Sequence, residues 1–363
     1  MKGQSTTRRE FIKQLALGAL ALALPNGYAR SSREDKRLGV ALVGLGRYST
    51  EQLAPALERT KHCYLAGIVT GTPSKIELWQ KRYGIPDRNV YSYTNFDQIA
   101  NNPHIDMVYV VLPNSLHAEF TMRAAKAGKQ VWCEKPMALN VSQCEAMINA
   151  CRDNRVSLAI GYRMQHEPNT QTVIRYGKER TYGRVNSISA AAGFYDSRTG
   201  HWRQQKAMGG GAMYDMGVYS LQAARYCSGE EPVAVTAQQS TSRPEIYQEV
   251  DETMTFELEF PSGLLAHGKA SFGMTMNSLR VNAEKGWYEL EPFQTYSGIQ
   301  GITSDGRRLN ATIDNQQAKQ MDDDALAILQ RQPLLVPGEE GLRDIRVVEA
   351  VYRSARTGQR VVI

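Results

Sequence analysis

Residues 38–43 form a short apolar run with β-branched Val40 and Val43, and the run ends directly in Gly44-Leu45-Gly46. A strand that enters a glycine turn and continues into a helix is the opening unit of a doubly wound sheet. The pattern then repeats. Residues 50–59 can be helical, although Pro55 lies early in them. Residues 64–69 read as a strand and 74–83 as a helix closed by Gly84. Residues 106–112 are a continuous apolar strand of the kind found inside a parallel sheet. Residues 116–127 form a helix stopped by Gly128, followed by a strand at 130–133, a helix at 141–152 and a strand at 156–160. This alternation predicts an α/β domain over residues 38–160.

The second half changes character. Strand-like stretches dominate at 185–193, 233–240, 253–260, 264–271 and 279–282, and several alternate in polarity. A sheet covered on one face fits that pattern. Residues 341–357 read as a last amphipathic helix, stopped by Gly358. A boundary near Gly161 makes residues 161–363 an α+β domain. The 363 residues suffice for two domains.

Ahead of the first strand lies a leader. Lys2, Arg8, Arg9 and Lys13 make a basic start, residues 15–24 are apolar apart from Gly18, and Gly27-Tyr28-Ala29 offers small residues for cleavage. The run Thr7-Arg8-Arg9-Glu10-Phe11-Ile12-Lys13 looks like a twin-arginine export signal. The apolar run is about half the ~20 residues of a spanning helix, so no stable membrane insertion is expected. The expectation is a signal peptide at 1–29, a short arm at 30–37, a partnership with the twin-arginine export machinery and a periplasmic mature protein. Removing residues 1–29 takes away four basic groups and one acid from a formal charge of +6, which leaves +3. That is too weak to argue for nucleic acid. Cys63, Cys133, Cys144, Cys151 and Cys227 show no metal spacing, and an odd number cannot all pair. Mostly buried thiols are expected.

Gly44-x-Gly46-x-x-Ser49 carries the first chemistry. Gly44 permits the tight turn, Gly46 lets the backbone approach a pyrophosphate, and the following helix receives the negative charge. Ser49 replaces the usual third glycine. An NAD site places an acid at the end of the second strand. Here Val69-Thr70-Gly71-Thr72-Pro73-Ser74-Lys75 has none. Hydroxyls, free amides, Lys75 and Arg47 suit a 2′-phosphate instead, so NADP is the expected cofactor. Leu112-Pro113-Asn114 and His117 stand at the carboxyl end of a central strand, and Glu134-Lys135 at the end of the next, where ligands bind in this fold. In Gly209–Tyr219, glycines allow close backbone approach, and Asp215 and Tyr219 share a face if a helix follows. A packed helix with a capping Asp fits that spacing equally well.

Together these stretches resemble the Gfo/Idh/MocA oxidoreductases, and within them the subgroup of glucose-fructose and aldose-aldose oxidoreductases. The resemblance rests on Val43-Gly44-Leu45-Gly46, residues 112–120, Cys133-Glu134-Lys135-Pro136-Met137, Gly161-Tyr162-Arg163, residues 209–219 and Pro337-Gly338-Glu339-Glu340-Gly341. It implies a Rossmann domain followed by an open-faced, mainly antiparallel sheet that serves oligomer contacts, hence a homodimer or homotetramer. It implies Lys135, Asp215 and Tyr219 at the reacting sugar. Tyr48, Glu134, Lys135 and Arg163 join the cofactor residues named above. His201, Trp202 and Arg203 are candidates for the sugar pocket; a plain loop explains them as well.

The implied activity is periplasmic sugar oxidation with hydride passed through tightly bound NADP to a second sugar. Tyr219 would take the hydroxyl proton, and a phenol of ordinary pKa near ~10 needs a neighbouring cation such as Lys135 for that work. An ordinary NAD(P)-dependent sugar dehydrogenase with exchangeable cofactor and a nicotinamide-dependent glycoside hydrolase remain as alternatives.

Overall fold

The computed structural model describes residues 36–363. The twin-arginine leader and most of the 30–37 arm lie outside the described residues. The first sheet is built of β1 (Leu38–Val43), β2 (Cys63–Val69), β3 (Val90–Tyr91), β4 (Met107–Val110), β5 (Gln130–Cys133) and β6 (Leu158–Ile160). Its order is β3-β2-β1-β4-β5-β6 and its pairings are parallel. Side chains alternate between two cores, as the period of a strand demands. Ala41, Val43, Val108, Val110, Val131 and Cys133 enter one, whereas Val40, Leu42, Met107, Tyr109 and Trp132 enter the other. A sheet covered on both faces explains why these strands read as unbroken apolar runs.

The second sheet has nine strands. These are β7 (Val185–Gly193), β8 (Ala234–Ser240), β9 (Thr253–Glu259), β10 (Leu265–Ser271), β11 (Met276–Ala283), β12 (Gly286–Leu290), β13 (Gly301–Thr303), β14 (Arg308–Leu309) and β15 (Val361–Val362). Their order is β14-β13-β12-β11-β7-β10-β9-β8-β15. The pairings are antiparallel except β7 with β10. Helices Val218–Ser228 and Gly338–Thr357 supply Val218, Leu221, Val347 and Val351 to its core. The other face leaves Ser189, Thr236, Gln238, Thr255 and His267 exposed.

The two sheets are tied by a buried polar clamp. Asp344 on the last long helix accepts from Tyr162 Oη at 2.7 Å, from Gln222 Nε2 at 2.9 Å and from Arg225. Tyr162 follows β6 of the first sheet, so this one carboxylate joins both halves. Helix Gln316–Gln330 also returns to the first sheet, where Ala318, Met321 and Ala325 join the core of Leu42, Tyr109 and Trp132.

Two helical expectations are corrected. The helix expected at 50–59 is not one α-helix and ends earlier: Ser49–Leu53 is a π turn and Ala54–Leu57 continues as α. Pro55 has no N–H for the helical ladder, and the hydrogen bonding changes register just before it. The helix expected at 341–357 begins at Gly338. Helices Pro168–Lys178 and Gln316–Gln330 were not anticipated. The latter buries Gln316, Gln317, Gln320 and Asp324 beside its apolar residues, which hides its periodicity. All five cysteines are buried and free. Burial pushes the Cys63 thiol up to about 12.

Candidate active site

A cleft of about 850 Å³ opens at the carboxyl ends of β1, β4 and β5 and extends to the second sheet. At its floor, Gly44 has φ +94°, and a Cβ there would meet the Val111 carbonyl oxygen at 2.4 Å. Only glycine fits such a turn. Gly46 is exposed, and a Cβ added to it would meet nothing within 4 Å, so its backbone is open to a ligand. Ser49 Oγ donates to the Gly44 carbonyl at 2.6 Å, which accounts for a hydroxyl where a third glycine is usual. This geometry fits a dinucleotide pyrophosphate.

The corner after β2 holds Thr70, Thr72 and Lys75. Lys75 Nζ donates to the Leu45 carbonyl at 2.6 Å, which ties it to the glycine loop. Arg47 is exposed and pairs with Glu51 at 2.8 Å. Gly71 lies against the Tyr93 ring and does not line the cleft, unlike the other residues proposed for the cofactor.

The next loops are braced from behind. His117 is fully buried, with Nδ1 2.8 Å from the Pro136 carbonyl and Nε2 2.8 Å from the Leu112 carbonyl. It joins the two strand-end loops, and burial lowers its pKa. Asn114 Nδ2 donates to the Gly209 carbonyl at 2.8 Å, which links Leu112-Pro113-Asn114 to the second domain's glycine run. Glu134 accepts from Tyr109 Oη at 2.6 Å, and Gln320 Nε2 lies 3.4 Å from the same hydroxyl. Burial raises the Glu134 carboxyl, against the pull of Tyr109 and Lys135.

Lys135, Asp215 and Tyr219 are brought together. Lys135 Nζ donates to the Asp215 carbonyl at 2.7 Å and lies 3.4 Å from Oδ1. It stands 4.5 Å from the Tyr219 ring centroid. Arg203 Nε reaches Asp215 Oδ2 at 2.8 Å. Burial by itself would raise the Asp215 carboxyl, but Arg203 and Lys135 overcome it and hold the group well below the usual carboxylate range. Burial would lower Lys135, but Tyr219, Asp215 and Glu134 outweigh it and raise its pKa. The site therefore presents a fixed carboxylate, a fixed ammonium and a phenol on one wall.

The backbone beneath is unusual. Met213–Gly217 is a π turn leading into helix Val218–Ser228, so Asp215 and Tyr219 do not share a regular α-helical face. Both still line the cleft. Asp251 builds the turn: its Oδ2 accepts from Met213 N–H at 2.7 Å, and its carbonyl accepts from Ala212 N–H at 3.0 Å. Gly211, at φ +113°, leaves room for Asp251 Oδ1, which a Cβ would approach to 2.3 Å.

His201, Trp202 and Arg203 also line the cleft. Arg203 lies 4.5 Å from the Trp202 ring, and His201 Nδ1 accepts from the Arg203 amide at 3.3 Å. Arg198, absent from the sequence reading, contacts His201 Nε2 at 3.2 Å and pairs with Asp196 at 2.6 Å. Arg163 stands 5.6 Å from the Tyr219 ring and 4.9 Å from the Tyr296 ring. Tyr93, Phe194, Thr295 and Tyr296 are also among the lining residues and were missed. They lie on irregular connections without a motif; the aromatic character of three of them was the only signal.

Comparison with known proteins adds to this geometry. A family model described as an oxidoreductase family with NAD-binding Rossmann fold matches residues 38–162, and a GFO/IDH/MocA C-terminal domain matches residues 170–289. The chain is 41% identical to aldose-aldose oxidoreductase from Caulobacter crescentus, solved with glycerol. That likeness covers 90% of this chain and 100% of the other, with a TM-score of 0.87. It is 27% identical to D-xylose 1-dehydrogenase [NADP(+)] from Haloarcula marismortui over 93% of this chain and 98% of the relative. Levoglucosan dehydrogenase, solved with NADH and L-sorbose, matches with a TM-score of 0.80 at 20% identity over 90% of this chain and 99% of that one, a likeness of fold.

Proposed function

Because the chain belongs to the Gfo/Idh/MocA oxidoreductase family, we propose that it oxidises an aldose to an aldonolactone and reduces a second sugar with the same retained NADP. The observation that carries this reading is the Asp215 carboxylate held between Arg203 and Lys135 beside Tyr219. A nicotinamide dinucleotide bound in the cleft supplies a hydride acceptor for the first sugar and a hydride donor for the second. Asp215, kept ionised, accepts a hydrogen bond from a sugar hydroxyl and fixes the ring's orientation. Lys135, kept protonated, donates to the oxygen of the reacting carbon. Tyr219 takes the proton from that oxygen and returns one to the second sugar. One hydride and one proton leave the first sugar and both arrive on the second, so the exchange balances without a further oxidant.

Two observations support NADP. No carboxylate follows β2 at residues 70–75, and Lys75 and Arg47 flank that corner. Glu51, the acid nearby, is engaged by Arg47. The twin-arginine leader supports export of the folded protein with its cofactor aboard, to the periplasm. The exposed face of the nine-stranded sheet, with its shallow hollow of about 900 Å³, supports assembly as a homodimer or homotetramer.

The test is product formation after exhaustive dialysis, with one aldose and one acceptor sugar and no added nucleotide. Aldonolactone and alditol should form in equal amounts with ping-pong kinetics. A requirement for stoichiometric free NADP would make the protein an ordinary dehydrogenase. Titration should show NADP binding more tightly than NAD, with Lys75→Glu narrowing or reversing the gap.

A further inference from the structure

The loop between β12 and β13 lies beyond the residues matched by either family model, and it reaches the cleft. Its base is closed by Glu291 N–H donating to the Gln300 carbonyl at 2.8 Å. Phe293 and Ile299 anchor its two limbs in the core of the nine-stranded sheet. Asn277 Oδ1 accepts from the Phe293 and Gln294 amides, each at 2.9 Å. A short loop with joined ends and its own packed side chains holds its shape. Its tip carries Tyr296, which is 50% exposed. That ring meets the Tyr48 ring at 5.9 Å between centroids, tilted by 31°. Tyr48 stands two residues after Gly46, in the first turn of the helix that follows the loop fitting a pyrophosphate. Arg163 Nη1 pins the tip by donating to the Thr295 carbonyl at 2.6 Å.

We infer that Tyr296 retains the nucleotide: with Tyr48 it forms an aromatic bar across the cleft, and the bar parts before a bound dinucleotide leaves. The inference rests on the reading of the cleft as a dinucleotide site. Tyr48 belongs to the first-sheet half and Tyr296 to the second, so their contact joins the two walls directly. Besides Tyr48, the Tyr296 ring has the Arg163 guanidinium beside it at 4.9 Å, yet half of its side chain stays in water. Aromatic rings attract one another without a fixed hydrogen bond, so a bar made of two can swing at one tyrosine.

The experiment measures release of NADPH from the loaded mature protein by stopped-flow fluorescence with excess NADP as chase. Nucleotide remaining after gel filtration is counted in parallel. Tyr296→Ala should release NADPH about tenfold faster, the upper range for one aromatic pair. Tyr296→Phe keeps the ring and should stay within about twofold of the native rate. Release from Tyr296→Ala at the native rate overturns the inference, and so does release from Tyr296→Phe as fast as from Tyr296→Ala. The native rate tests the retained-cofactor reading separately. If native release outruns turnover, that reading fails, whereas a tenfold ratio between Tyr296→Ala and native still supports the bar.

Discussion

Lys135 Nζ donates to the backbone carbonyl of Asp215 at 2.7 Å and approaches its carboxylate at 3.4 Å, so one ammonium from the first domain holds both ends of one residue in the second. The same contact orients a charge and closes the domains upon each other.

Asp215→Asn leaves Lys135 and Arg203 facing each other without the anion. kcat/KM should fall by about 10²-fold or more. Stability should fall by about 2 kcal/mol at neutral pH, a figure discounted because Arg203 is partly exposed. The sign follows from the lowered pKa of Asp215. Its contribution is complete above the ordinary carboxylate range near pH ~4 and is lost as pH falls through the lower folded value. Urea unfolding of both proteins across that range checks it; an equal midpoint at pH 7 would count against the ion pairs.

Tyr219→Phe removes one hydroxyl from a half-buried ring. Unfolding free energy should change by about 1 kcal/mol or less, while turnover drops about 10²-fold or more, the usual scale for a lost general acid or base. Native turnover in this variant would move the proton elsewhere.

Asp251 carries the opposite sign. Burial pushes its carboxyl up to about 6, against hydrogen bonds from Tyr352 and the Met213 amide. The folded protein then holds a proton that the unfolded chain has lost between pH ~4 and ~6, so stability falls as pH rises through that window. Asp251→Asn removes this fall. The difference in unfolding free energy, variant minus native, should rise by about 2 kcal/mol from pH 4 to pH 7. A flat difference would place the folded pKa near its ordinary value.

Arg8→Lys with Arg9→Lys keeps the leader's charge but removes the arginine pair. The double variant should accumulate inside the cell with its leader uncleaved. Unchanged periplasmic yield on fractionation would sink the export route.

The residue sequence by itself determined five of the six strands of the first sheet, because strands covered on both faces read as apolar runs; the remaining one, Val90–Tyr91, is only two residues long and left no such run. The sequence also marked Gly44, where the backbone turn admits no side chain, and Gly46, whose backbone lies open to a ligand, and it brought Lys135, Asp215 and Tyr219 forward as a group. Tertiary structure decided their electrostatics. Nothing near Asp215 in the chain says that Lys135, 80 residues earlier, will share it with Arg203. The helix Gln316–Gln330 stayed hidden because its buried stripe carries glutamines and Asp324, whose burial depends on what the first sheet presents to them. Tyr296 stayed hidden for a related reason: a lone aromatic residue in an irregular loop has no period, and only the packing of Phe293 and Ile299 brings its ring to Tyr48. Local pattern reports which faces are buried, whereas contacts between distant segments are set by how those faces meet.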